Sequence, residues 1–289
     1  MTQMKEKIGK GTLTRRTLRL LTANFSRHNV SRNAAALTYY LLYAMFPLLI
    51  FVCNLVGRLN LDVTAITDAL RNILPTNVVE MLGAYLKHVS NNSSQVLMWF
   101  SLVFTVYFPF RAVKDLMDDV RQAYQLDKPR HPVRYAVRQV LFTLAFLVMI
   151  MLTLLLSILG QRFLSAVGKW LSGFGLPPTP SFVLALWQYV RFVLAAAVMF
   201  AALGMLYGTA QDERQPLSAT LPGVVVAMVA WLAVSIGFSF YVENFSYFSV
   251  IYGTLGAVIV LLSWLYFTSL ILILGAEFNA ALRTARDAE

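Results

Sequence analysis

Six runs of apolar residues, separated by polar and charged stretches, dominate this chain. They cover about Asn33 to Leu59, Gln95 to Phe110, Val133 to Gly160, Ser181 to Ala210, Leu217 to Val242 and Val250 to Glu277. A helix needs roughly 20 apolar residues to cross the hydrocarbon of a bilayer. The second run is the shortest, and its pattern continues past Arg111 as a polar helix. Lipid offers a backbone no hydrogen-bond partner, so each run must satisfy its own N–H and C=O groups, which favours helices. A membrane barrel would need two-residue alternation, which these runs lack. The fold expected is all-α, a polytopic membrane bundle of six transmembrane helices.

Composition supports this. Hydrophobic residues make up 58% of the chain and charged residues only 13%, about half the share a soluble globular surface carries. Disorder is excluded, because disordered chains are poor in apolar residues. The single cysteine, Cys53, rules out an internal disulfide framework and a cysteine-based zinc cluster, and its apolar surroundings in sequence suit a small buried residue. The first 32 residues are polar and basic with no apolar h-region, so no cleavable signal peptide is expected.

The basic residues orient the bundle. Of the 24 lysines and arginines, 18 fall in the N-terminal tail, in the segment between the second and third runs, at Arg214 and in the C-terminal tail. Five fall in the intervening segments, and Arg191 lies within the fourth run. The positive-inside rule then places both termini in the cytoplasm, and an even number of spans agrees. The net charge of +10 is thus an orientation signal rather than a nucleic-acid footprint. The organisation expected is a basic cytoplasmic segment at 1–32 and a six-helix transmembrane domain at 33–277, with a cytoplasmic tail at 278–289. An outer helical loop is expected at 60–94 and a cytoplasmic helix at 111–131.

Between the spans, residues 12–28 read as a basic amphipathic helix. Leu13, Thr17, Leu18, Leu20, Leu21 and Phe25 share one arc, and Arg15, Arg16, Arg19 and Arg27 the other. Such a helix can lie in the interface with its arginines on anionic headgroups. The outer loop reads as two short helices broken at Pro75, and Arg162 to Pro180 as an interfacial turn. After the second run, Val113, Leu116, Met117, Val120 and Tyr124 recur at helical spacing. Asp115, Asp118 and Asp119 accompany them, either as a salt-bridged face or as cation ligands. Pro47 sits mid-run and should kink the first span. Gly204 with Gly208, and Ala233 with Gly237, have the spacing that permits close helix packing.

The usual equipment of catalysis is missing. His28, His88 and His131 all lie outside the runs, and there is no HExxH, no phosphate-binding P-loop and no intramembrane pair of aspartates. No enzyme activity, metal or cofactor is expected. Arg191 stands out: it lies ten residues after Ser181, about 15 Å along a helix. A centred arginine is costly in a membrane, so it is read either as a structural charge satisfied by carbonyls and tyrosine hydroxyls or as the ligand of an anionic substrate. Glu277 closes the sixth run and is expected to neutralise an arginine such as Arg111. Asn54 is a candidate internal hydrogen-bonding group.

Two stretches carry a family resemblance. The segment from Asn33 to Ile50, Asn-Ala-Ala-Ala-Leu-Thr-Tyr-Tyr-Leu-Leu-Tyr-Ala-Met-Phe-Pro-Leu-Leu-Ile, resembles the first-span motif of the YihY/BrkB family of bacterial inner-membrane proteins. The segment from Ile251 to Tyr266, followed by Leu274-Gly-Ala-Glu-Phe-Asn-Ala280, resembles that family's last-span motif, and Leu221-Pro-Gly223 also fits. The chain departs from the pattern after the second run, at Tyr107 to Arg111 and Asp118 to Tyr124, and lacks the proline expected after Leu206-Tyr207. The resemblance implies six spans in the inner membrane and a family labelled with virulence or, by a name the residues do not support, ribonuclease BN. For relatives it implies a role in moving lipids or envelope precursors.

Together these readings favour a carrier or flippase-like exporter of an amphipathic anionic substrate, working without ATP. The alternative is a non-transporting scaffold for envelope integrity, and an enzyme is the least favoured class. Candidate substrate contacts are Arg191, Asn54, Tyr39 and Tyr40; candidate structural or gating positions are Pro47, Glu277, Arg111, Gly253 and Gly256. The partners expected are membrane lipids, through anionic headgroups on the cytoplasmic face, with self-association left open and no nucleic acid.

Overall fold

The computed structural model describes residues 13–58, 83, 95–126, 129–150, 181–211, 217–244 and 247–287. Seven helices carry the described chain: α1 Leu13–Arg27, α2 Val30–Arg58, α3 Gln95–Ala123, α4 Pro132–Ile150, α5 Ser181–Thr209, α6 Leu217–Asn244 and α7 Tyr247–Arg286. The expected outer loop, the turn after the third run and His88 lie outside the described residues.

Five of these helices contain stretches long and apolar enough to cross a membrane, at Val30–Phe51, Gln95–Ala123, Pro132–Ile150, Ala219–Tyr241 and Val258–Arg286. The fourth expected run forms the 29-residue α5, whose described apolar part, Ala196–Thr209, is shorter than a crossing. The outward surface is what lipid requires. On α6, Val225, Val229, Leu232, Ile236 and Phe240 are all exposed and recur every three or four residues along one face. A soluble monomer rarely carries so large a contiguous apolar surface. The chain is a membrane helix bundle.

The helices fall into two compact units. The first comprises Met1–Tyr43, Phe108–Phe142 and Phe200–Glu289, and the second Ala44–Tyr107 and Thr143–Met199. In the first unit α7 packs against both α6 and α1. Its core takes Val113, Leu116, Met117 and Val120 from α3, all buried, so the helical spacing after the second run is realised as packing. The second run and the expected cytoplasmic helix are one continuous α3 as far as Ala123.

Two expectations about close packing are corrected. Among the described residues, a Cβ added at Gly204, Gly208 or Gly237 would meet nothing within 4 Å, so no described helix is seated on them. The close approach lies elsewhere. A Cβ at Gly223 of α6 would overlap the Gly275 carbonyl and the Asn279 side chain of α7, and one at Gly275 would come within 2.6 Å of the Tyr207 hydroxyl. Here only hydrogen fits, and the backbones of α6 and α7 meet.

The amphipathic helix α1 is also differently disposed. It is docked on α7, and its buried residues are Thr17, Leu20 and Asn24. Leu20 packs with Ala281 and Ala285, joined by Leu13, while Leu18 is 52% exposed. The turn into α2 is made at Asn29, whose φ of 53° is a left-handed conformation asparagine tolerates better than most residues.

Candidate functional site

The polar side chains of the first unit gather where α1, α2, α3 and α7 meet. Glu277, 1% exposed, takes one group from α1 and one from the turn after it: the Nδ1 of His28 lies 2.5 Å from its Oε1, and the Asn24 amide donates to its Oε2 at 3.2 Å. A carboxylate buried this deeply persists only when its lone pairs are satisfied. Asn33, at the start of α2, donates to the His28 carbonyl at 3.3 Å, to Asp119 at 2.7 Å and to Gln122 at 3.2 Å. The sequence Asn24, His28, Asn33 therefore ties the last helix to the third through the α1–α2 turn. Farther along α2, Thr38 donates to Ser269 of α7 at 3.2 Å, and both are buried.

A second set of polar contacts closes the end of α5. Arg121 donates to the Ala210 carbonyl at 3.1 Å, and Arg138 to the carbonyls of Thr209 at 3.1 Å and Gln211 at 3.4 Å. A helix leaves its last carbonyls without partners and carries partial negative charge there, so two guanidinium groups are well matched to it. Arg121 also lies over the Tyr135 ring, 5.2 Å from its centroid, and Tyr135 donates to Asp118 at 3.0 Å. Burial pushes the Tyr124 phenol up to about 12, keeping it a neutral hydrogen-bonding group beside Gln211.

A third contact set joins α6 and α7. The Asn279 side chain accepts from the Gly223 N–H at 2.6 Å and donates to the Thr220 carbonyl at 2.7 Å, clasping the backbone on either side of Pro222. Tyr207 of α5 donates to the Leu272 carbonyl at 2.6 Å. The two stretches Leu221-Pro-Gly223 and Gly275-Ala-Glu-Phe-Asn279 are thus halves of one contact.

The expected site residues are distributed among these features. Glu277 does not pair with Arg111; its carboxylate is held by His28 and Asn24. Arg111 instead donates to the Tyr40 hydroxyl at 2.8 Å and lies over the Tyr40 ring at 5.1 Å. Glu277 thus meets the turn after α1, whereas Arg111 meets Tyr40, seven residues beyond Asn33 on α2. Tyr39 is half exposed and stacks on Tyr43, ring centroids 4.4 Å apart. Pro47 lies within α2, and Gly253 and Gly256 within α7, where Gly256 is buried. Asn54 belongs to the second unit: it is buried, donates to the Ile50 carbonyl at 2.8 Å, and its Oδ1 has no partner among the described residues. Arg191 lies within α5, and its side chain falls outside the description.

His28, Asn24 and Asn33 were not singled out by the sequence as site residues. Asp118 and Asp119 are drawn to Tyr135 and Asn33 respectively, and among the described residues no group of three or more His, Cys, Asp or Glu is placed to hold a metal.

A bundle of long apolar helices cross-tied by buried polar side chains defines a polytopic membrane protein. The chain belongs to the family described as Virulence factor BrkB, whose model matches residues 21–289. It is 26% identical over 265 residues to the putative ribonuclease-like protein YfkH of Bacillus subtilis (strain 168), covering 92% of this chain and 94% of that one. It is 25% identical over 273 residues to a UPF0761 membrane protein of Pseudomonas aeruginosa (strain LESB58), covering 93% of this chain and 63% of the relative. A UPF0761 membrane protein of Alkalilimnicola ehrlichii is 25% identical over 264 residues, 89% of this chain and 56% of its own length. The chain therefore spans less than two thirds of these UPF0761 relatives. No solved structure matches it.

Proposed function

We propose that this membrane protein carries an amphipathic anionic substrate, a lipid or envelope precursor, across a bacterial inner membrane without hydrolysing ATP. In this reading six helices span the membrane, both termini are cytoplasmic, and the basic segments face anionic headgroups. The observation that carries the reading is Arg191. It is the only charged residue in the 29 residues of α5, ten positions from one end. A cation at that depth costs about 2.5–3.5 kcal/mol on insertion scales, and such residues mark substrate paths or internal pairs. The orphaned Oδ1 of buried Asn54 supports a polar route through the second unit, because a buried acceptor without a protein partner calls for water or substrate.

The test is lipid translocation in sealed vesicles containing the purified protein and no nucleotide, with a fluorescent anionic lipid compared with a zwitterionic one. Anionic lipid should cross faster, and Arg191→Ala should remove the difference while Arg191→Lys retains part of it. Equal rates for wild type and Arg191→Ala would defeat the reading.

A scaffold is the second reading, favoured by the exposed Arg15, Leu18 and Arg19 on the face of α1 turned away from α7. It requires that Arg191 substitution be tolerated and that loop deletions abolish function. Ribonuclease chemistry, which the name of YfkH suggests for that protein, gains no support here from Asp118 and Asp119, whose carboxylates serve Tyr135 and Asn33.

A further inference from the structure

A cavity of about 180 Å³ lies at the start of α4, lined by Arg130, His131, Arg134, Tyr135 and Arg138. Its described lining holds three guanidinium groups, an imidazole and a phenol. Helix N-termini carry partial positive charge and favour acidic side chains, yet residues 129–150 contain no Asp or Glu. Arg134 and Arg138 stand four apart on α4, a spacing at which like charges oppose the helix. Arg121, over the Tyr135 ring, adds a further cation behind the cavity. Against these stands Asp118, whose carboxylate is engaged by the Tyr135 hydroxyl.

The parts are also held in place. Arg138 is anchored on the Thr209 and Gln211 carbonyls, and Tyr135 is fixed between Asp118 and Arg121. Arg130, His131 and Arg134 are exposed and line the open side. Pro132 opens the helix without an N–H, and the amides of Val133 and Arg134 precede the first N–H bonded back, that of Tyr135 to the His131 carbonyl. Two backbone donors therefore lie beside several charged ones. Liquid water takes about 30 Å³ per molecule, so the cavity has room for a tetrahedral oxyanion. Guanidinium groups match phosphate oxygens in pairs, and a helix start adds amides and dipole.

We propose that Arg130, His131, Arg134, Tyr135 and Arg138 form a binding site for a phosphate group, carried by a lipid headgroup or by a soluble phosphate compound. The site does not include Arg191, and the proposal does not depend on the transport reading. A bound phosphate opposes the like charges of Arg134 and Arg138, four apart on α4.

The experiment uses the full chain, purified and delipidated in neutral detergent. Native mass spectrometry measures retention of added phosphatidic acid against phosphatidylcholine, and calorimetric titration measures inorganic phosphate. Wild type should bind one phosphatidic acid in preference to phosphatidylcholine, or bind inorganic phosphate at one site. The double variant Arg130→Gln/Arg134→Gln should weaken that binding about tenfold or more, the scale of losing charge-assisted contacts. A control with the same loss of charge, Arg15→Gln/Arg19→Gln on α1, should change it less than about twofold. Arg134→Gln alone, at an exposed position, covers the case in which the double variant fails to fold, and about a threefold loss is expected. Binding of lipid but not inorganic phosphate assigns the site to headgroups; binding of inorganic phosphate with the same losses assigns it to soluble phosphates. Absence of both, or equal losses in the site and control variants, overturns the proposal.

Discussion

His28 and Glu277 meet at 2.5 Å across 249 residues of chain, both buried, where the first described helix docks on the last. With Asn24 they are side-chain hydrogen bonds that tie α1 and the turn after it to α7. Their value lies as much in what removal would leave behind as in the bonds themselves. Truncating Glu277 would strand an imidazole nitrogen and an amide donor in a site water does not reach, at a cost of roughly 1–3 kcal/mol per unsatisfied group. Glu277→Ala should therefore release α1, and Arg15, Arg16 and Arg19 should become faster trypsin sites in detergent. Glu277→Gln, which keeps an acceptor oxygen, should show a smaller increase. Identical cleavage rates in all three proteins would mean that α1 is held by Leu20 and its alanine neighbours alone.

The sequence made the helices legible, but it showed their partners poorly. Apolar length reveals a span because the bilayer imposes it. Which face of a span meets protein leaves a weaker trace, since lipid and protein neighbours are both apolar. For α1 the apolar arc holds Leu13, Thr17, Leu18, Leu20, Leu21 and Phe25, but only Thr17 and Leu20 of these are buried, together with Asn24, and Leu18 is left exposed. Its partner α7 offers alanines and a carboxylate, so small and polar side chains fit it better than large apolar ones. Glu277 was recognisable as a buried charge in need of a partner, yet local spacing carries no information about a histidine 249 positions away. The glycine pairs show the converse. The spacing of Gly204 and Gly208 permits close packing, but a neighbouring helix must supply the other half, and none among the described residues comes within 4 Å of a Cβ there.

That contrast gives a paired prediction. Gly223→Ala and Gly275→Ala each place a methyl where backbone or a fixed hydroxyl already stands, and α6 must move away from α7. Overpacking of this kind costs about 1–3 kcal/mol, more where backbone is struck. Gly204→Ala and Gly208→Ala meet open space, and alanine favours a helix by about 0.5–1 kcal/mol over glycine. Heating in detergent, followed by loss of helical circular dichroism, should rank the first pair below wild type and the second pair at or above it. Destabilisation by Gly208→Ala equal to that of Gly275→Ala would contradict the packing described.

Asn279 should be as sensitive as the glycines, for a different reason. Its amide satisfies a backbone donor at Gly223 and a backbone acceptor at Thr220, and Asn279 is 2% exposed. Asn279→Leu preserves size while leaving both backbone groups without that partner, and a loss of about 1–3 kcal/mol per group follows. Asn279→Asp keeps the acceptor for Gly223 but sets a carboxylate oxygen against the Thr220 carbonyl. Both variants should unfold at lower temperature than wild type, with Asn279→Asp recovering none of the loss. Recovery in the aspartate variant would indicate that the Gly223 bond alone matters.

Arg121 tests whether the end of α5 is held by charge or by shape. Its guanidinium is buried, donates to the Ala210 carbonyl and lies over the Tyr135 ring. A planar fork can stack and donate at once, whereas an ammonium group on a flexible stem offers charge without that geometry. Arg121→Lys should therefore restore less than half of what Arg121→Met loses. The Met variant should cost roughly 1.5–3 kcal/mol, the range for hydrogen bonds to charged groups. Tyr135→Phe separates the two contributions, because it keeps the ring beneath Arg121 and removes only the hydroxyl donated to Asp118. Its effect on thermal unfolding should be the smallest of the three, about 0.5–1.5 kcal/mol. If Arg121→Lys matches wild type, net charge at the helix end is sufficient and the stacked geometry on Tyr135 contributes nothing measurable.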